Sequence, residues 1–166
     1  IWLKSQTHLL NNLGMKKFTP EIKPKEGFGE IKFGESSDHI TAILGEAEEI
    51  EIIEDDDEFN TTILNYWEEG ISAFFEGVEN SVLSCLETDI PDSTLFGKKV
   101  FDLDEEQIIT LMEENGFEVA ETEEDDEGER RISYDDALID FFFHEGELIA
   151  VNWGVLVNEA GEIEEF

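Results

Sequence analysis

The chain has one cysteine, little positive charge and no long apolar run. With Cys85 alone among 166 residues, neither an intrachain disulfide nor a cluster of thiolate metal ligands can be assembled. No apolar stretch reaches the length of a membrane-spanning helix and no secretory signal pattern is present, so a reducing cytoplasm is the expected setting. Lys and Arg number 10 against 44 Asp and Glu, a formal net charge of −34. Such a surface repels nucleic acid and anionic lipid, and attracts a basic partner over long range. Lys4, Lys16, Lys17, Lys23, Lys25 and Lys32 all precede Gly34, whereas every acidic residue except Glu21, Glu26 and Glu30 follows it.

Catalytic signatures are missing as well. The chain carries no G-x-S-x-G, H-E-x-x-H, P-loop or G-x-G-x-x-G pattern. His8, His39 and His144 are too scattered to share a site, and His39 reads as a surface residue beside a helix cap. Cys85, within "SVLSCLE", reads as a small strand residue without a histidine partner. Glu123, Asp125, Glu127 and Gly128 begin like a calcium loop, but its twelfth position is Tyr134 and no helix follows. The expectation is a non-enzyme with no cofactor and no metal.

What the chain does have is 40% hydrophobic residues, 13 of them Phe, enough for a packed body under an acidic surface rather than a disordered chain. The stretch "FGEIKF" at 28–33 returns as "FGKKVF" at 96–101. Laid without gaps, 28–76 over 96–144 pairs Phe28/Phe96, Phe33/Phe101, Ile40/Ile108, Tyr66/Tyr134, Ile71/Ile139, Phe74/Phe142 and Phe75/Phe143 as identities. Matches concentrated on apolar positions are what a duplicated folding unit requires. Residues 1–14 read as an added leader, since "MKKF" from Met15 looks like a natural start. Residues 15–27 are then an N-terminal extension, 28–95 the first repeat and 96–166 the second, within one domain.

Each repeat predicts a helix followed by strands. "SSDHITAILGE" offers Ser36, Ser37 or Asp38 as N-cap, an apolar face of Ile40, Ile43 and Leu44, and Gly45 as terminator. "DLDEEQIITLMEENGFE" offers a capping box between Asp104 and Gln107, a face of Ile108, Leu111 and Met112, and Gly116 as terminator. Strand-like runs follow: "EEIEII", "TTILNYW", "ISAFFE" and "SVLSCLE", then "FEVAETE", "RRISYD", "ALIDFFFHE" and "ELIAVNWGVLV". The predicted class is α+β, two tandem helix-plus-antiparallel-meander repeats with adjoining sheets. Phe28, Phe33, Phe96, Phe101, Phe74 and Phe142 are the expected core.

The same alignment lays Glu54, Asp55, Asp56, Asp57 and Glu58 over Thr122–Asp126, so the acidic stretches Glu54–Glu58 and Glu123, Glu124, Asp125, Asp126 and Glu127 are expected as equivalent tips. Tyr66 and Tyr134, being duplicated, read as core. Trp67 faces Asp135 across the repeat and is less constrained. With Trp153 and the two tips it forms the expected partner-binding set, aromatic anchors beside steering charge.

The pattern "IKFGESSDHITAILGEAEE … LNYWEEG" resembles the repeat of the β-lactamase-inhibitor-like fold, shared with small outer-membrane assembly lipoproteins. Small acidic immunity proteins of bacterial toxin systems are also similar. Glu46 stands where such repeats place a proline, Glu113 replaces the helix-ending glycine in the second copy, and no lipoprotein cysteine is present. The resemblance implies a protein that works by binding another protein. The expected role is an immunity- or inhibitor-type module, monomer or homodimer, whose acidic face covers a basic site on a toxin or enzyme. The alternative is a structural or regulatory accessory domain with charge for solubility only.

Overall fold

A helix begins where a side chain satisfies the unpaired N–H groups of its first turn. The computed structural model, which describes residues 18–54, 60–77 and 81–164, has two such points. Ser36 Oγ accepts from the backbone N–H of His39 at 3.3 Å and opens α1 (Ser37–Leu44), which ends at Gly45 with φ 86°. Asp104 and Gln107 exchange reciprocal 2.9 Å bonds, the predicted capping box, and open α2 (Glu105–Glu114). Ile40 and Leu44 of α1, and Ile108, Leu111 and Met112 of α2, are buried.

The strands in chain order are β1 (Glu21–Lys23), β2 (Gly27–Phe28) and β3 (Ile31–Lys32) before α1. After it come β4 (Glu49–Ile53), β5 (Asn60–Tyr66), β6 (Ile71–Gly77), β7 (Val82–Thr88), β8 (Thr94–Leu95) and β9 (Lys98–Lys99). After α2 come β10 (Glu121–Glu124), β11 (Glu129–Tyr134), β12 (Ile139–His144) and β13 (Glu147–Gly154). The fold is mixed, with sheet predominating over helix.

One antiparallel sheet takes eight strands in the order β10-β11-β12-β13-β7-β6-β5-β4, so each half contributes a four-stranded meander and the two meet at β13 and β7. Tight turns enforce the meanders. Glu145 and Gly146 both have positive φ, 50° and 86°, the twist a two-residue hairpin needs. Gly70 (φ 76°) closes the β5–β6 turn, where a Cβ would stand 2.4 Å from Asp89 Oδ1. Both meanders shift register at a Phe-Phe pair: Phe74/Phe75 against β7, and Phe142/Phe143 against β13.

A second, five-stranded sheet has the order β3-β2-β1-β8-β9, with β1 antiparallel to β2 and parallel to β8. The two echoing segments lie in its small hairpins β2–β3 and β8–β9, on either side of β1. The stretch expected as an extension therefore supplies the central strand, and its Ile22 is buried. Trp153 ties the sheets together. Its indole Nε1 donates to Gly27 O at 2.9 Å, and Phe28 meets its ring edge-on at 5.0 Å, with Phe18 edge-on to Phe28 at 5.1 Å. One core cluster takes in both helices and both sheets.

The expected core needs correcting at four rings. Phe28 and Phe33 are buried, but Phe96 and Phe101 are only half-buried against the core. Phe96 sits in a turn with φ 50° and stacks on Phe117 at 6.2 Å. Phe74 and Phe142 are half-buried because strand alternation turns them to the opposite face, while Phe75 and Phe143 fill the interior. Phe75→Ala and Phe143→Ala should each cost about 3–5 kcal/mol, and Phe74→Ala and Phe142→Ala less, about 1–2 kcal/mol, because the outer rings are only partly buried. Urea titration of the four variants checks this; equal losses at Phe74 and Phe75 would contradict the facing.

Candidate functional site: the open face of the eight-stranded sheet

Residues opposite one another across a sheet share a face. One face carries the row Tyr66–Ile71–Thr88–Val151–Phe141–Ile132 and belongs to the core. The next row points the other way and is polar in every strand: Glu49–Asn65–Ser72–Glu87–Asn152–Asp140–Ser133–Glu121. Ser72 Oγ donates to Asn65 Oδ1 at 2.7 Å, and both residues are buried. Glu87, Asn152 and Asp140, in the middle of the sheet, are half-buried.

Beside this midline a groove of about 100 Å³ is lined by Trp67, Ser72, Glu87, Asp89, Ile149 and Ala150. Trp67 is 59% exposed, and its Nε1 donates to Glu49 Oε2 at 3.3 Å. Burial pushes the Glu87 carboxyl above its ordinary value; the hydrogen bond from Asn152 opposes this and the charge of Asp89 adds to it. Burial also pushes the Cys85 thiol up to about 12, with Glu76, Glu87 and Asp140 adding to the rise. Cys85 donates its S–H to Asn152 Oδ1 at 3.1 Å. A thiol held that high supplies almost no thiolate at neutral pH. Chemically the groove offers carboxylates beside an indole and an aliphatic wall, a match for the stem and charged head of a lysine or arginine.

The residues expected to bind a partner do not all converge here. Trp67 does. Trp153 does not: it is 0% exposed and holds Gly27, so it is a core residue and not a surface anchor. Tyr66 and Tyr134 are core, as expected, and Tyr66 OH donates to Gly45 O at 2.9 Å. Glu54 is exposed just past β4, and Asp55, Asp56, Asp57 and Glu58 lie outside the described residues, as does the 1–14 leader.

The second acidic stretch is not a bare tip. Glu123 and Glu124 belong to β10 and pair with arginines: Arg131 Nη2 lies 3.0 Å from Glu123 and 3.8 Å from Glu121, and Arg130 Nη1 lies 3.6 Å from Glu124. Arg130 Nε also bonds Glu105 at the start of α2. Asp125 Oδ1 accepts from the N–H groups of Glu127 and Glu129, both at 2.9 Å, and so closes the β10–β11 turn. Asp126 and Glu127 are exposed there. The gapless superposition fails at this point because the segment joining helix to first strand is longer in the second half. Glu49 faces Asn65 and Glu121 faces Ser133, which sets β10 against β4 rather than against Glu54–Glu58.

The polar midline was not anticipated. Its trace in the sequence is a polar residue between apolar ones, as with Asp140 between Ile139 and Phe141 and Asn152 between Val151 and Trp153. Among the described residues no helix is long and apolar enough to cross a membrane, and no group of His, Cys, Asp and Glu is arranged to hold a metal ion. Comparison with family models, curated proteins and solved structures returns no significant match.

The fold raises the Glu87 pKa, so it favours the protonated form. That contribution is full below the unfolded-state value and is lost as pH rises through the folded value. Glu87→Gln keeps a partner for Asn152 and removes the half-buried charge. It should melt higher than the parent at pH 7.5, with the gap closing as the pH falls through the carboxylate range. A lower melting temperature at pH 7.5 would show that Glu87 is stabilised as a carboxylate.

Proposed function

We propose that this chain is a non-enzymatic protein-binding module of the immunity or inhibitor kind, built from two copies of one helix-plus-meander unit. Its open sheet face covers a basic site on a partner toxin or enzyme. The observation that carries this is the polar midline with Trp67 beside it: a row that is polar in all eight strands, exposed or half-buried at Glu49, Glu87, Asn152, Asp140 and Glu121, with an exposed indole at its rim. The acidic groups supply long-range attraction, and Trp67 supplies short-range energy once water is excluded. Duplication is supported by the matched caps at Ser36 and Asp104, the matched register shifts at Phe74/Phe75 and Phe142/Phe143, and a strand order that reads the same outward from the β7–β13 seam.

The immobilised chain is exposed to the product of a neighbouring gene, or to basic proteins of the source lysate at low salt, and association and dissociation are timed for each protein retained. For the partner, the on-rate falls as salt rises, and Glu87→Gln with Asp89→Asn lowers it further. Trp67→Ala raises the off-rate about tenfold or more, as loss of a desolvated aromatic anchor does. Retention indifferent to salt, to the double substitution and to Trp67→Ala would replace this reading with an accessory domain whose charge serves solubility.

A further inference from the structure

The two edges of the eight-stranded sheet are guarded unequally. At one end, β10 reads Glu-Thr-Glu-Glu and is bridged by Arg130 and Arg131, a charged edge of the kind that resists strand pairing. At the other end, β4 reads Glu-Ile-Glu-Ile-Ile and is exposed at every residue. Ile50, Ile52 and Ile53 are 62%, 63% and 54% exposed. Among the described residues only β5 pairs with it, so half of its backbone N–H and C=O groups point outward. Ile50 and Ile52 stand opposite Leu64 and Thr62, on the core side of the sheet, whereas Glu49 and Glu51 stand opposite Asn65 and Ile63, on the open side.

We propose that β4 takes up an extended segment of a basic protein as a ninth strand, one in which lysine or arginine alternates with apolar residues. Backbone bonds along the edge hold the segment. Its apolar side chains cover Ile50 and Ile52 on one face, and its cations meet Glu49 and Glu51 on the other. A second copy of this chain is the poorer occupant, because antiparallel β4 strands would bring Glu49 and Glu51 of one copy against those of the other, between molecules that each carry a net −34. This edge shares Glu49 with the polar row of the open face, but its backbone groups and its isoleucines take no part in that row, so the two readings can fail separately.

The probe is a capped, fluorescent peptide, Lys-Val-Lys-Val-Lys-Val-Lys, titrated into the whole chain at physiological salt. Saturable binding is expected. Replacing Ile50 and Ile52 together by Ser should weaken it about tenfold or more. The same peptide with every backbone amide N-methylated keeps its charge but cannot pair, and should not bind. Hydrogen exchange on the unaltered chain should slow across 49–53 and not across 121–124, which decides the matter should the double variant melt early. Equal binding of the methylated peptide, or exchange unchanged across 49–53, would reduce the interaction to surface charge and overturn the proposal. A dimer in sedimentation that the Ser variant abolishes would overturn it in favour of a second copy.

Discussion

β7 and β13 meet in antiparallel register, Cys85 against Gly154 through to Thr88 against Val151, and this seam determines what the rest of the chain can do. The approach is close enough that a Cβ on Gly154 would stand 2.4 Å from Ser84 O, and Val155 N–H donates to that same oxygen at 2.8 Å. Two separate meanders would present four strand edges; the seam leaves two. It also carries the apolar row Leu64–Ala73–Leu86–Trp153–Ile139–Tyr134 across both halves, so one interior is shared and neither half has to bury its inner face alone.

From the shared interior follows the division of labour between the faces. Helices α1 and α2 and the small sheet, held by Trp153 through Gly27 and Phe28, pack with the inner face in one core cluster. The carboxylates are excluded from that side by the cost of burying charge. The opposite face gathers Glu87, Asp140, Glu49 and Glu121 in one line, and burial, with Asp89 adding to it, leaves Glu87 with a raised pKa. An acidic outer face and, among the described residues, a β4 edge paired on one side only go with that arrangement.

Much of the architecture was legible because it is written locally. Ser36, Asp104 with Gln107, Gly45, and the alternation in "ISAFFE" and "ALIDFFFHE" each name their own element, and a mixed fold of helix and sheet follows from them. Facing was harder: adjacent phenylalanines at 74–75 and 142–143 leave open which ring points inward until cross-strand register is known. The small sheet was missed because β1, β2, β3, β8 and β9 are two or three residues long, too short for any periodicity. Trp153 was misassigned for a related reason, since an indole on a long final strand does not announce that Gly27, far away in sequence, will accept its hydrogen bond. The polar midline was invisible for the most general reason, because it exists only once eight strands are set in register.

Hydrogen exchange of the isolated chain tests the seam most directly. If both meanders depend on β7 and β13, the amides of Cys85–Thr88 and Val151–Gly154 should be among the slowest in the molecule and should exchange together, with the free energy of global unfolding. If either meander opens on its own, its half of the seam exchanging at a markedly lower free energy than the other, the two halves are independent units and the shared interior described above is contradicted.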